Sequence, residues 1–243
     1  MIDPLANLRA MSYPGRVILI GLDRAGEHVV AGYAITGRSP SSRARRLKLE
    51  ADSIWTEPTD EEAMGKERLD LLIYRAIAIR RGIALSNGRQ TEDILKAIQR
   101  GEEPEKSLRL ALKGWSYEPD APHFTPRISG CALPSGRACL SIIKRAGNGP
   151  VEKLFFPYDL KPGKGRMIAT YSGREETPLP SFSGDPLTIE IKAKDAATLA
   201  EAFYSALEPK DSARDYRVAV TCVYTTYPDF LKLDAHIINK NER

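Results

Sequence analysis

GRVILIGLDRAGEHVVAGYAIT, Gly15 to Thr36, decides the fold class. Two runs rich in Val, Ile and Leu, Gly15–Leu22 and His28–Thr36, flank Asp23, Arg24, Ala25, Gly26 and Glu27, a composition suited to a hairpin loop. The chain therefore starts with an antiparallel pair. RRLKLE (Arg45–Glu50) continues with alternation. Leu71–Gly88 reads as two strands around Arg80, Arg81 and Gly82, although Leu72, Ala76 and Ile79 also suit helical spacing in the first of them.

Further outward, Thr91 as cap, Glu92 and Asp93 at the positive end, a stripe of Ile94, Leu95 and Ile98, and Gly101 as stop predict a short helix. Pro104 opens a second one through Lys113, with Leu108, Ala111 and Leu112 facing inward. Strands are expected at Ala138–Arg145, Val151–Asp159, Arg166–Gly173, Leu187–Ala193 and Tyr216–Thr226. Asp195 caps a helix through Leu207 whose apolar stripe is Leu199, Phe203 and Leu207, with Pro209 as stop. Many antiparallel strands with few interposed helices make an α+β layered domain, read as a single domain over residues 1–243.

Composition narrows the function. The 243 residues are 42% hydrophobic and carry a formal charge of +4. No apolar run reaches the ~18 residues of a membrane span, and MIDPLANLRAMSYPG lacks the layout of a signal peptide, so a cytoplasmic protein without membrane contact is expected. Cys131, Cys139 and Cys222 lack C-x-x-C spacing and read as buried thiols. His28, His123 and His236 stand far apart, and no metal site is expected. Arg38, Arg43, Arg45 and Arg46 crowd one stretch, which suits either phosphate groups or a solvated strand edge. With mild net charge and no recognition helix or RNA-binding aromatic motif, nucleic acid is the poorest partner.

Four segments gather polar residues at strand ends: YPGR (Tyr13–Arg16), YAITGRSPSSR (Tyr33–Arg43), SNGRQT (Ser86–Thr91) and YEPDAPHFTPRIS (Tyr117–Ser129). In this order and approximate spacing they resemble the archaeal-type IMP cyclohydrolase family, bacterial members included. The likeness rests on the set of motifs from Tyr13 to Ser129, and on strand content and length beyond it. It implies a four-layer αββα sandwich of mostly antiparallel sheets, as in N-terminal-nucleophile (Ntn) hydrolases, but without a processed terminal nucleophile. It also implies a cyclic amidine hydrolase working in the ring-closing direction. Such an enzyme converts 5-formamidoimidazole-4-carboxamide ribotide to inosine monophosphate and water in purine biosynthesis. A small purine ribonucleotide is then the partner, no cofactor is required, and homo-oligomerisation is left open.

The resemblance assigns roles by position. Arg38 and Arg43, with Ser39, would take the 5′-phosphate, and Arg16 would join them. Pro40, Ser41 and Ser42 stand where the family often has bulkier or amide residues. Asn87 would orient the carboxamide or bind the formyl oxygen, Gly88 would bring backbone close to substrate, and Ser86, Thr91 and Thr125 are read as further substrate contacts. Glu118, desolvated among Tyr117, Pro119 and Pro122, is the candidate for proton transfer, with Asp120 as the alternative or as an Asx-turn residue. Arg127 would meet a carbonyl or phosphate, or else pair with Glu118. Tyr33 would donate to the base or oxyanion, or else fill the core. His123 is read as a neutral hydrogen-bonding or surface residue. Pro119, Pro122 and Pro126 would hold Glu118, Thr125 and Arg127 ready at reduced ordering cost. Two competing readings keep the fold: a nucleotide-binding module without chemistry, and an amidohydrolase whose nucleophile is generated at Gly130–Cys131.

Overall fold

The computed structural model describes residues 5–59, 72–147 and 149–243. Among them the chain runs α1 (Ala6–Arg9), β1 (Arg16–Leu22), β2 (His28–Thr36), α2 (Pro40–Arg43), β3 (Arg45–Glu50), β4 (Ser53–Pro58), β5 (Tyr74–Ile79), β6 (Ile83–Ser86), α3 (Gln90–Ile98) and α4 (Pro104–Ala111). It continues with β7 (Arg127–Ala132), β8 (Arg137–Arg145), β9 (Val151–Asp159), β10 (Lys164–Ala169), β11 (Leu187–Glu190), α5 (Ala196–Ala206), β12 (Arg217–Thr226) and β13 (Leu233–Asn239). The architecture is α+β, with two antiparallel sheets and few helices. One has six strands in the order β11-β10-β1-β2-β12-β13, the other seven in the order β3-β4-β5-β6-β7-β8-β9.

The hairpin is the centre of the six-stranded sheet. Val17 lies opposite Ala34 and Gly21 opposite Val30, and the Asp23 N–H and carbonyl close the turn against His28 and Gly26. From Val17 to Leu22 and from Val29 to Thr36 every residue is buried, so both faces of this strand pair are covered and neither strand needs polar alternation. The two sheets share one core, in which Ile18, Ile20 and Ile168 pack with Leu85, Ile128 and Leu140. The approach is close at Gly130, where a Cβ would lie 2.8 Å from Ile20 Cδ1.

Helices cover the remaining apolar faces. Ile94, Leu95 and Ile98 of α3, with Leu108 of α4 and Leu112 just beyond it, bury a cluster against Cys131, Cys139 and Ile143 of the seven-stranded sheet. Helix α5 lays Leu199 and Phe203 on β12 and β13, and Asp195 caps it by accepting the Thr198 N–H at 2.7 Å. All three cysteines are free and buried. No described helix is long and apolar enough to cross a membrane.

Residues 74–79 form a strand, held between β4 and β6, and Leu71 lies outside the described residues. Thr91 does not cap α3: its hydroxyl lies 2.6 Å from Ser86 Oγ, and the cap position is Arg89. β10 stops at Ala169, four residues earlier than its composition suggests, because Tyr171 and Gly173 leave the ladder to make bridges with Ser181 and Tyr13. β4 and β13 are additions to the sequence reading, and Arg127 opens a strand, β7, as its place after Pro126 suggests. Gly15 explains its motif: at φ +76°, its absent Cβ leaves room for Thr170 Oγ1 at 2.1 Å and the Tyr171 ring at 2.6 Å.

Candidate active site

A cavity of about 390 Å³ opens where the strand ends meet. Tyr13 and Arg16 reach it from β1 and the turn before it. Arg38, Ser39, Ser41, Ser42 and Arg45 come from the segment joining β2 to β3, Asn87 follows β6, and Glu118, Asp120, His123 and Thr125 line it from the loop before β7. Leu72, Tyr74, Thr170, Tyr171 and Leu179 complete the wall. All four polar segments thus converge on one space.

Its electrostatics are set by guanidinium groups. Arg16 Nη1 donates to the Thr36 carbonyl at 2.8 Å, while its Nε is buried without a hydrogen-bond partner among the described residues. Arg45 is 3% exposed and donates from Nε to the Ser42 carbonyl at 3.2 Å. Burial, and then the neighbouring Arg16 cation, push the Arg45 pKa down to about 10, so it is still charged at neutral pH. Arg38 lies 4.8 Å from the centre of the Tyr13 ring, which itself stacks on Tyr171. Among the described residues none of these three arginines has an ion-pair carboxylate. His123 adds a donor. Its Nδ1 accepts the Leu179 N–H at 3.1 Å, which places the ring proton on Nε2, 3.3 Å from Arg38 Nη2. With the proton there, two donors lie 3.3 Å apart and leave each other unsatisfied, an arrangement that an anion's oxygen reaching both would relieve.

The S-N-G turn is built around the start of β7. Ser86 Oγ donates to the Gly88 carbonyl at 2.8 Å. Asn87 Oδ1 accepts the Ile128 N–H at 2.9 Å, and its Nδ2 donates to the Pro126 carbonyl at 2.9 Å, so the amide ties the turn to β7 while lining the cavity. Arg127 stands behind this wall. It donates from Nε to the Ser116 carbonyl at 2.9 Å, from Nη1 to Gln90 Oε1 at 3.3 Å, and pairs with Glu118 Oε1 at 3.4 Å over the Trp115 ring. Gly88 leaves room for these groups, since a Cβ would sit 2.6 Å from Gln90 Oε1 and 2.7 Å from Arg127 Nη1.

Glu118 is held at the cavity by backbone as well, its N–H donating to the Thr125 carbonyl at 2.9 Å. Burial raises its pKa; Arg127 opposes this and Asp120 adds to it. Asp120 makes the expected turn, its carbonyl accepting the His123 and Phe124 N–H groups and its Oδ1 the Thr125 N–H at 2.6 Å.

Of the residues singled out from sequence, Arg16, Arg38, Ser39, Asn87, Glu118 and Thr125 line the cavity. Tyr33, Arg43, Ser86, Gly88, Thr91 and Arg127 do not. Tyr33 is fully buried beneath the floor, 2.6 Å from the hydroxyl of Tyr74, which does line it. Arg43 donates to the Gly37 carbonyl and lies over Tyr216. Arg45 was visible only as one member of a basic run, and Tyr171 carries no local signal because it arrives from beyond β10. The Gly130–Cys131 junction sits inside β7, paired to β6 and β8, and burial pushes the Cys131 thiol well up. Nothing there is poised for self-cleavage.

Two curated relatives are similar to part of the chain. The IMP cyclohydrolase of Halobacterium salinarum (strain ATCC 29341 / DSM 671 / R1) is 28% identical over 133 residues, 54% of this chain and 63% of the relative. That of Methanocella arvoryzae is 30% identical over 118 residues, 48% of this chain and 56% of the relative. The chain thus spans less than two thirds of the length of the relatives it matches. A family model described as IMP cyclohydrolase-like protein matches residues 13–226, from the Tyr13 that opens the first motif to the end of β12, and the chain belongs to that family.

Proposed function

We propose that the protein is an IMP cyclohydrolase, closing the pyrimidine ring of 5-formamidoimidazole-4-carboxamide ribotide to give inosine monophosphate and water. The observation that carries this reading is the gathering of Arg16, Arg38 and Arg45, without carboxylate partners among the described residues, around a cavity that also holds the largely buried Glu118. Unpaired cations in a half-enclosed space are costly until an anion arrives, and a ribotide supplies one. The same reading takes residues 1–243 as one cytoplasmic domain with the four-layer αββα order of Ntn hydrolases, using no cofactor, and leaves a homo-oligomer open.

Ring closure asks little of the protein besides position and charge. The attacking carboxamide nitrogen and the formyl carbon belong to one molecule, so holding one rotamer supplies proximity. Arg38, Ser39 and the His123 Nε2–H take the phosphate. Arg45 adds its charge to the phosphate site, Arg16 faces the negative charge that develops on the formyl oxygen, and Glu118 protonates that oxygen on its way to becoming water.

Incubation of pure protein with the formylated ribotide, followed by detection of inosine monophosphate, tests the reading. Nucleotide binding without turnover would instead favour a module that keeps the fold and lacks the chemistry. Arg38→Ala is expected to weaken nucleotide affinity ~10- to 30-fold with kcat changed less than threefold, as for loss of a charge-assisted contact made equally in ground and transition states. A kcat effect exceeding the affinity effect would remove Arg38 from the phosphate.

A further inference from the structure

The cavity is crowded with donors, yet one chain of hydroxyls on its wall has the opposite polarity. Asp120 fixes it. A carboxylate only accepts, and Asp120 Oδ2 takes the hydroxyl proton of Thr125 in a short hydrogen bond while Oδ1 takes the Thr125 N–H at 2.6 Å. Thr125 has then no proton left to give, so its Oγ1 accepts from the Tyr171 hydroxyl at 2.6 Å. Tyr171 in turn has spent its only proton. What its oxygen still offers is an acceptor, and Asp120, Thr125 and Tyr171 all line the cavity.

The ring that carries this oxygen is fixed. Tyr171 is 5% exposed and stacks on Tyr13 with centroids 5.8 Å apart, and Gly15 fits against it only for want of a Cβ. Burial pushes the Tyr171 pKa up, with the Thr125 hydrogen bond opposing, so the phenol is protonated at neutral pH. Arg16, Arg38, Arg45 and His123 all line the cavity and would offer N–H groups to acceptors on a ligand. Tyr171 suits the complementary group, an N–H.

Resting on the ring-closing reading, we propose that Tyr171 is a further catalytic residue, accepting an N–H of the substrate's carboxamide, with Thr125 and Asp120 as positioning residues that hold its oxygen in the accepting state. As the nitrogen lone pair bonds to the formyl carbon, the C=O π pair moves to oxygen and takes a proton from Glu118. The nitrogen's proton passes to Tyr171, that of Tyr171 to Thr125, and that of Thr125 to Asp120. When the resulting hydroxyl departs as water, the stored proton returns along the same chain to it, and the ring N–H proton released on forming the C=N bond restores Glu118. Two protons leave with the oxygen and the protein ends as it began.

The product keeps one hydrogen on this nitrogen, whereas adenosine monophosphate presents a bare ring nitrogen there, and this gives a readout independent of turnover. Titration calorimetry with inosine and adenosine monophosphates is expected to show Tyr171→Phe losing about tenfold in affinity for the former and under twofold for the latter, the size of one neutral hydrogen bond. With formylated ribotide the same variant should lose ~10- to 100-fold in kcat, with KM rising by no more than the roughly tenfold expected for inosine monophosphate. Thr125→Val should lower kcat in the same direction, and Thr125→Ser, which restores the hydroxyl, should recover most of it. Wild-type kcat in Tyr171→Phe, or equal losses for both nucleotides, would overturn the assignment. If the wild-type protein turns over no formylated ribotide, the ring-closing reading and the proton steps fall together. The nucleotide pair then still decides whether Tyr171 accepts an N–H.

Discussion

Glu118→Gln is expected to lower kcat by ~10²- to 10⁴-fold while KM stays within about threefold, the range for loss of one positioned acid–base group. The substitution keeps the shape of the side chain and the Glu118 N–H to Thr125 hydrogen bond, and an amide oxygen still accepts from Arg127. Only the proton is lost. Burial raises the Glu118 pKa above that of an ordinary glutamate, so near neutrality the side chain retains more of its acid form than an exposed one would. A raised folded-state value also has a stability consequence with a definite sign. The folded chain binds the proton more tightly than the unfolded one, so this stabilisation is present at acid pH and is lost as pH rises through the folded pKa. Glu118→Gln, which cannot ionise, should therefore match the wild type at low pH and gain on it once the pH passes the ordinary glutamate range. Steady-state kinetics and urea unfolding at several pH values check both halves. Unchanged kcat would take proton transfer away from Glu118, and a stability difference that shrinks with rising pH would contradict its raised pKa.

Where the sequence was legible, one element carried its own instructions. β1 and β2 could be read because burial on both faces demands unbroken apolar runs, and α5 because Asp195 and its stripe are local signals. β13 was not legible: Asp234 and His236 interrupt a strand that is only half-buried at the sheet edge. The site divides in the same way. Arg38 and Glu118 stand in dense polar motifs and line the cavity, but the same motifs also contain their own scaffolding. Ser86, Thr91 and Arg127 spend their polar groups on one another's loops, and sequence spacing does not distinguish a group that faces a ligand from one that holds the loop. Tyr171 was beyond reach for a different reason. Its place depends on the bridge between Tyr13 and Gly173, a pairing across the molecule that leaves no trace in the residues around it.

Arg45→Met is expected to make the free protein more stable and nearly abolish its use for nucleotide. Arg45 is a buried cation with one backbone acceptor and no described carboxylate, and burial followed by the Arg16 charge already depresses its pKa. Its desolvation cost is present in the empty cavity, whereas its compensation arrives only with an anion. Methionine fills comparable space without charge, so the unfolding midpoint of the unliganded variant should rise, by on the order of 1–3 kcal/mol in stability. Affinity for inosine monophosphate should fall ~10²-fold, which corresponds to about 2.7 kcal/mol and lies within the range for hydrogen bonds to a charged group. The two shifts have opposite signs, and that opposition separates a ligand-facing arginine from a structural one. An arginine that braced β3 against its neighbours would, when replaced, lower stability and leave binding intact. That result in calorimetry and denaturant unfolding would turn Arg45 into a strut and withdraw the principal support for an anion in this cavity.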